Sequence, residues 1–271
     1  MFQNLLYGLS AVFALVPASV AAFNHARTGT GGSPGAVFWI LLTVAVAGPL
    51  FRALALVGET WRTGLATTLW VSIAACMVLF AGISATTRSG WRLTPLLLPY
   101  LALLGVLALL AGPAGEGVLR GGAPGLWIDL HIAISVATYA LVTLGAVAAL
   151  AAFLQERALK AKRPTMLTRT LPPLAESEAL QVRLLSASAV VLGLGLATGI
   201  SVQHFETGRF LVADHKTLFT VASFVVICGL VIAHFLSGVR GRRAARIALV
   251  AYLLLTLGYL GVKFVTDVLL S

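Results

Sequence analysis

Two histidines are the residues of this sequence whose surroundings most clearly suggest chemistry. His131 follows Asp129 at the start of one strongly apolar segment, and His215 lies between Asp214 and Lys216 at the start of another. Ionisable side chains beside or within lipid are costly, so their presence there suggests function. Imidazoles are axial ligands of haem iron, and a neighbouring carboxylate can orient the ring. We therefore expect His131 and His215 to be candidate axial ligands of one haem iron.

The composition places both histidines in a membrane protein. Of the 271 residues, 59% are hydrophobic and only 10% are charged, and the mean hydropathy is +0.98. Soluble domains carry roughly 25% charged residues. The longest polar connection, about 155–182, is too short to form a typical domain. We expect one integral membrane domain over residues 1–271.

Apolar segments of about 20 residues are long enough to cross about 30 Å of hydrocarbon. Eight segments of the chain qualify, and each must be helical because lipid offers no partner to open backbone groups. We therefore predict an all-α polytopic membrane protein, a bundle of about eight transmembrane helices. The predicted spans are 2–23, 35–57, 65–84, 96–112, 128–154, 183–203, 216–237 and 246–268.

The distribution of basic residues predicts how this bundle is oriented. With eight spans, 13 of the 19 Lys and Arg residues fall at one face, and the other six fall at the opposite face. Lys and Arg are enriched in cytoplasmic loops. The basic face should therefore be cytoplasmic, with both termini non-cytoplasmic, and the expected location is the inner (plasma) membrane of a bacterial cell.

This orientation gathers His131, His204 and His215 at the outer, non-cytoplasmic face. His234 lies near the other end of the predicted helix that begins at His215, roughly 28 Å away at about 1.5 Å per residue. One iron therefore cannot bind both His215 and His234. We keep His204 and His234 as further candidates for contact with the cofactor.

A haem site also needs apolar walls and cations that pair with the propionates. The candidates for the walls are Trp127, Phe205, Phe210 and Phe219. An aromatic belt at the membrane interface is the alternative interpretation of these residues. The candidates for charge-assisted contacts with propionates are Arg120, Arg209 and Lys216. Lys263, inside the last span, either reaches the interface or faces the cavity.

Several other classes of protein and site are not expected. The net charge of +10 fits basic loops that meet anionic lipid rather than a nucleic-acid surface. No Walker motif and no H-E-x-x-H motif occurs, and we do not expect an enzyme. Cys76 and Cys228 form no C-x-x-C pair, which argues against thiol–disulfide and zinc chemistry. In the sixth span, the spacing of Gly195 and Gly199 favours close helix packing over a direct ligand role.

Four stretches in the second half of the chain resemble one family. Residues 130–140 are similar to an "LH…SYA" helix start, and residues 171–178 are similar to a "PPL…E" connection. Residues 214–217 stand in the place of a "WDPKE" segment, and residues 259–262 are similar to part of a last helix. In this order and spacing, over about 128–267, the chain resembles the cytochrome c assembly proteins of the CcsA type.

The resemblance implies a helical membrane protein that handles haem for cytochrome c maturation. Such proteins hold haem at the outer face between histidines, beside a tryptophan-rich loop, and His131 would be the first outer histidine. His215 stands where the family has Pro, and His234 is offset from the family's intramembrane histidine. No Trp follows Trp127, and no second outer histidine follows the last span. The pattern is therefore more similar to the short, YpjD-like branch of the family.

We accordingly expect a haem-handling inner-membrane protein of cytochrome c-type biogenesis, which binds or presents haem at the outer face. The expected partners are haem, membrane lipid, and other cytochrome c maturation proteins or a membrane transporter, with no nucleic acid. The alternative is an accessory or regulatory subunit of another membrane transporter that binds no haem. A small permease is a third candidate.

Overall fold

The computed structural model describes residues 2–27, 34–57, 64–112, 125–209 and 214–269, which are almost entirely helical. The helices are α1 (Phe2–Arg27), α2 (Ala36–Val57), α3 (Leu65–Thr86), α4 (Thr94–Ala111), α5 (Gly125–Ala161), α6 (Met166–Thr170), α7 (Leu174–Thr207), α8 (His215–Ser237), α9 (Gly241–Thr256) and α10 (Val262–Phe264). A 3-10 turn at Gly90–Leu93 leads into α4. Two π-helical turns, Leu257–Gly261 and Val265–Leu269, flank α10 and continue the last helix.

The predicted fold class is confirmed by these helices. Within the described residues, eight helices are long and apolar enough to cross a membrane, and each carries one of the predicted spans. The last of them runs from α9 through α10 as Gly241–Asp267. The chain is therefore an all-α polytopic membrane bundle.

The segment 155–182, which the sequence identified only as a polar connection between two spans, is largely helical. α5 continues to Ala161, and α7 already begins at Leu174. Between these helices, the side-chain amide of Gln155 donates to the carbonyl oxygen of Pro172 at 2.9 Å. Helices can extend beyond the apolar span when polar side chains satisfy backbone groups near their ends. Hydropathy reports only the apolar part of such a helix.

The centre of the bundle is formed by α3 and α5. Buried residues make up 72% of the apolar window of α5 and 67% of that of α3, against 50% for α4 and 28% or less for the other spans. α5 packs mainly against α3, α7 and α9, with a smaller contact to α4. α1 packs against α2 and α4, and these two helices pack against α3. Because α3, α7 and α9 pack around α5, they fix the surroundings of its side chains.

The helices place their connections at two ends of the bundle. The basic end contains the α5–α7 and α8–α9 connections, where the backbone N–H of Gly241 donates to Glu178 Oε1 at 2.9 Å. The histidine end contains the start of α5, the end of α7 and the start of α8, and with them His131, His204 and His215. This grouping of connections agrees with the predicted topology.

Candidate functional site

His131 lies near the start of α5, with its side chain half-buried against α7. Its Nδ1 atom is 3.1 Å from Thr198 Oγ1. A Cβ atom built on Gly199 would lie 3.0 Å from Cε1 of His131, and one built on Gly195 would lie 3.3 Å from a methyl group of Ile134. The two glycines therefore let α5 and α7 approach closely, which agrees with the packing interpretation of their spacing and leaves room for the imidazole ring.

The hydrogen bonds of Thr198 favour one ring nitrogen of His131 as the carrier of its proton. The Thr198 hydroxyl donates to the carbonyl oxygens of Leu194 at 3.0 Å and Gly195 at 3.1 Å. Because its hydrogen is used in this way, its oxygen is left to accept from the ring. Nδ1 is therefore assigned as the donor of a neutral imidazole, and Nε2 keeps its lone pair. Metal-bound histidines have this arrangement, in which one nitrogen binds the metal and the other donates to a fixed partner.

Positive charge lies close to this histidine. Lys216, in the first turn of α8, is near enough to His131 to act on it electrostatically. Lys263, in the last helix, is half-buried. The charge of Lys216 repels its ammonium group, and the charge of Asp267 attracts it. Two ammonium groups at the histidine end thus lie within electrostatic reach of one another. They could pair with acidic groups such as haem propionates.

His215 is the first residue of α8, and its side chain is exposed. Asp214 caps this helix, since its Oδ1 accepts the backbone N–H of Thr217 at 2.7 Å. Burial raises the pKa of Asp214, but the hydrogen bonds from Thr217 and the charge of Lys216 outweigh burial and hold this pKa below its usual value. The described contacts of His131 come from α7 and from Lys216, and none of them involves His215. The two predicted ligands therefore share one end of the bundle without a described contact between them.

The other two candidate histidines lie at opposite ends. His204 is half-buried in the last turn of α7, where its carbonyl oxygen accepts the N–H of Gly208 at 2.9 Å. His234 lies at the basic end, and its Nδ1 is 3.1 Å from the carbonyl oxygen of Val239. The length of α8 separates His234 from His215, so the structure does not bring His234 to the other three histidines.

The predicted walls and cations of the site are only partly brought together. Trp127 and Phe205 are 40% and 54% exposed at the histidine end, and Arg209 is exposed there as well. Phe219 is half-buried on α8. The two remaining candidates, Phe210 and Arg120, lie outside the described residues.

The donor set of the histidine end fits the few protein ligands that a haem iron takes. In the part of the chain that the structure describes, no group of three or more His, Cys, Asp and Glu side chains could hold a metal ion. A haem iron needs only an axial ligand from the protein, because the porphyrin supplies the equatorial nitrogens. One neutral histidine with a fixed tautomer, beside two ammonium groups, fits that requirement.

A cluster of tyrosines in the centre of the bundle was not predicted from the sequence. The hydroxyl oxygens of Tyr100 on α4 and Tyr139 on α5 are 3.1 Å apart, and those of Tyr139 and Tyr252 on α9 are 3.3 Å apart. Tyr100 and Tyr252 also share a hydrogen bond. These hydroxyls satisfy one another across three helices and tie α4, α5 and α9 together. The available signal was that a buried tyrosine in an apolar span needs a hydrogen-bond partner.

Comparisons with known proteins agree with this architecture. A family model described as "Cytochrome C assembly protein" matches residues 37–270. The chain is 61% identical over 271 residues to an "Uncharacterized 28.8 kDa protein in nifR3-like 5'region" of Azospirillum brasilense, with 100% of both chains covered. It is 31% identical over 202 residues to "Inner membrane protein YpjD" of Escherichia coli K12, with 73% of each chain covered. No solved structure matches the chain.

Proposed function

Because this chain belongs to the cytochrome c assembly protein family, we propose that it handles haem for cytochrome c biogenesis and holds haem at its histidine end. Family membership supports a role in cytochrome c biogenesis. The eight apolar helices and the similarity to an inner-membrane protein support a multi-pass protein of the inner membrane. Haem binding, and the face at which it occurs, are the parts that we propose.

The observation that carries the proposal is the geometry of His131. We assign Thr198 as the acceptor from Nδ1, because its own hydrogen lies toward the carbonyl oxygens of α7. Nε2 then carries no hydrogen, and its lone pair is free to bind haem iron. Gly199 packs beneath the ring, so the imidazole is held in place before any ligand binds.

The residues of this chain would hold and orient haem, and haem itself would supply the iron and its redox chemistry. His131 would hold the iron with Nε2, and Thr198 would keep the proton on Nδ1. Lys216 and Lys263 would pair with the propionates. His215, exposed at the start of α8, is the other candidate to hold the iron. This role requires the protein to hold and present haem without a chemical step, so we propose a chaperone-like protein rather than an enzyme.

We place this site at the non-cytoplasmic face of the inner membrane. Lys and Arg residues are concentrated in the connections at the basic end, and such residues mark cytoplasmic loops. Haem held at the histidine end would then be accessible to other cytochrome c maturation proteins outside the cytoplasm.

An absorption spectrum tests the proposal. We expect the protein, purified in detergent from cells supplied with haem, to show a Soret band that His131→Ala abolishes and His215→Ala weakens. His234→Ala is the matched control, because it removes an imidazole at the opposite end, and its band should equal that of wild type. Wild-type protein without a Soret band after haem addition, or His131→Ala protein with a normal band, would contradict the proposal.

A second candidate function is that of an accessory or regulatory subunit of another membrane transporter. The observation that favours it is the lack of any Trp after Trp127, since the resemblance implies a tryptophan-rich haem platform. This function predicts protein without haem that co-purifies with a transporter. It also predicts unchanged cytochrome c levels when the chain is deleted from cells.

A further inference from the structure

A cleft of about 320 Å³ lies at the basic end, between the end of α5 and the start of α9. Its lining includes five cationic side chains: Lys160, Arg240, Arg242, Arg243 and Arg246. Glu156 and Gly241 complete the lining. The volume is within the range of small-molecule sites, about 300–1,000 Å³. The cleft is therefore large enough for a small ligand, and its charge suits an anion.

Two glutamates lie against the wall of the cleft at Gly241, and one of them accepts a backbone hydrogen bond there. The N–H of Gly241 donates to Glu178 Oε1 at 2.9 Å, and a Cβ atom on Gly241 would come within 2.7 Å of Glu156 Oε2. Gly241 has a φ of +64°, which favours glycine over other residues. This turn places three consecutive residues, 240–242, in the wall of the cleft. It also places the positive end of the α9 dipole there.

The carboxylate in the cleft is already neutralised by its neighbour. Glu156 forms an ion pair with Lys160, one turn later on α5. Glu156 is the one carboxylate among the described lining residues, and the charge of Arg242 also acts on it, so five cationic side chains share a single acidic one. An excess of guanidinium groups at one concave surface attracts anions.

Arg242 shows the most specific geometry in the cleft. Its guanidinium carbon lies 5.4 Å from the centre of the Phe153 ring, so a cation–π contact orients the group. Its Nε atom is buried and makes no hydrogen bond with any residue that the structure describes. Buried donors in folded proteins are normally hydrogen-bonded. Nε is therefore an unsatisfied donor in the wall of the cleft.

We propose that this cleft binds the phosphate group of a small anionic ligand through Arg240, Arg242, Arg243 and Arg246. The planar fork of a guanidinium matches phosphate oxygens in a bidentate manner, which an ammonium group cannot do. The headgroup of an anionic phospholipid and a soluble phosphate ester both present this chemistry. The inference does not depend on haem binding, because the cleft and His131 lie at opposite ends of α5.

The test compares two probes on the whole protein in neutral detergent at fixed ionic strength. One probe is phosphatidylglycerol in mixed micelles with phosphatidylcholine, whose binding is followed by native mass spectrometry. The other is inorganic phosphate, whose binding is followed as a shift in thermal unfolding relative to chloride. Arg243→Gln/Arg246→Gln removes two exposed arginines of the cleft, and we expect binding to weaken about tenfold or more.

Two further variants separate a built site from general attraction by charge. Arg157→Gln/Arg169→Gln makes the same change in net charge at two exposed positions of the basic end outside the cleft lining, and it should bind as wild type does. Arg242→Lys keeps the charge but removes the guanidinium fork, and it should bind more weakly.

Each outcome decides the matter. Binding of phosphatidylglycerol alone identifies a lipid headgroup as the ligand. Binding of inorganic phosphate alone identifies a soluble phosphate compound. Either result supports the proposal when the cleft variants lose that binding and the control variant keeps it. Equal losses in the two double variants would overturn it, because net charge would then explain the binding. Wild-type protein that binds neither probe would overturn it as well.

Discussion

The most informative single residue is His131, and its chemistry depends on one hydroxyl. Thr198 Oγ1 uses its hydrogen for the backbone of α7 and therefore accepts from the ring. The sequence suggested that Asp129 could orient this imidazole, but the described hydrogen-bond partners of the ring are Thr198 and the backbone of Gly195. A neutral partner holds the ring without adding a charge to the site.

Thr198→Val tests this role at the residue scale. Valine has nearly the same shape as threonine but cannot accept from Nδ1, so the ring loses its fixed orientation. We expect haem affinity to fall about 10- to 100-fold, the usual effect of removing such a partner. Titration with haem, read at the Soret band, measures the change.

Thr198→Ser is the matched control, because serine keeps the accepting hydroxyl and should bind haem nearly as wild type does. Equal haem affinities of the valine and serine variants would show that the hydroxyl does not orient His131.

At the scale of elements, the contact between α5 and α7 positions the site. Gly199 provides the space beside His131, and Gly193 faces Phe224 of α8 at a greater distance. Asp214 caps the start of α8, because its carboxylate accepts the backbone N–H of Thr217. Lys216 therefore lies in the first turn of that helix. The close packing of α5 and α7 therefore positions His131, and the capped start of α8 positions Lys216.

Gly199→Ala should disturb this packing selectively. The added Cβ would lie 3.0 Å from Cε1 of His131, so the ring must shift by a few tenths of an ångström, and haem affinity should fall severalfold. Haem titration and thermal unfolding of the same samples provide the measurement.

Gly193→Ala provides the comparison, because its Cβ would be 3.5 Å from the Phe224 ring, an ordinary contact. Alanine is favoured over glycine in a helix by about 1 kcal/mol, so this variant should keep its haem affinity and unfold at an equal or higher temperature. A loss of haem in both variants to the same extent would argue against a specific contact with His131.

At the scale of the whole molecule, α5 joins two chemically different ends. This helix has 37 residues and is roughly 55 Å long at about 1.5 Å per residue. It carries His131 at one end and Glu156 of the basic cleft at the other. The tyrosine cluster at its middle ties it to α4 and α9. The proposed haem site and the proposed phosphate site would therefore face opposite sides of the membrane.

Cysteine labelling in intact cells tests this arrangement. After Cys76 and Cys228 are replaced with alanine, Arg209→Cys should react with a membrane-impermeant thiol reagent added outside, because it is exposed at the histidine end. Arg157→Cys, exposed at the basic end, should react only after the cells are permeabilised. The reverse pattern would place the histidine end in the cytoplasm and contradict the positive-inside assignment.

The sequence by itself determined the eight spans, the all-helical fold, the grouping of the histidines and the family resemblance. These features follow from local hydropathy and motifs, because lipid forces every apolar span to be a helix. Only the tertiary structure decided which side chains meet: His131 with Thr198, Tyr100 with Tyr139 and Tyr252, and the arginines of α9 with the end of α5. Hydropathy reports whether a residue lies in the membrane, but it does not report how each helix is rotated about its axis, and that rotation is set by packing against neighbouring helices.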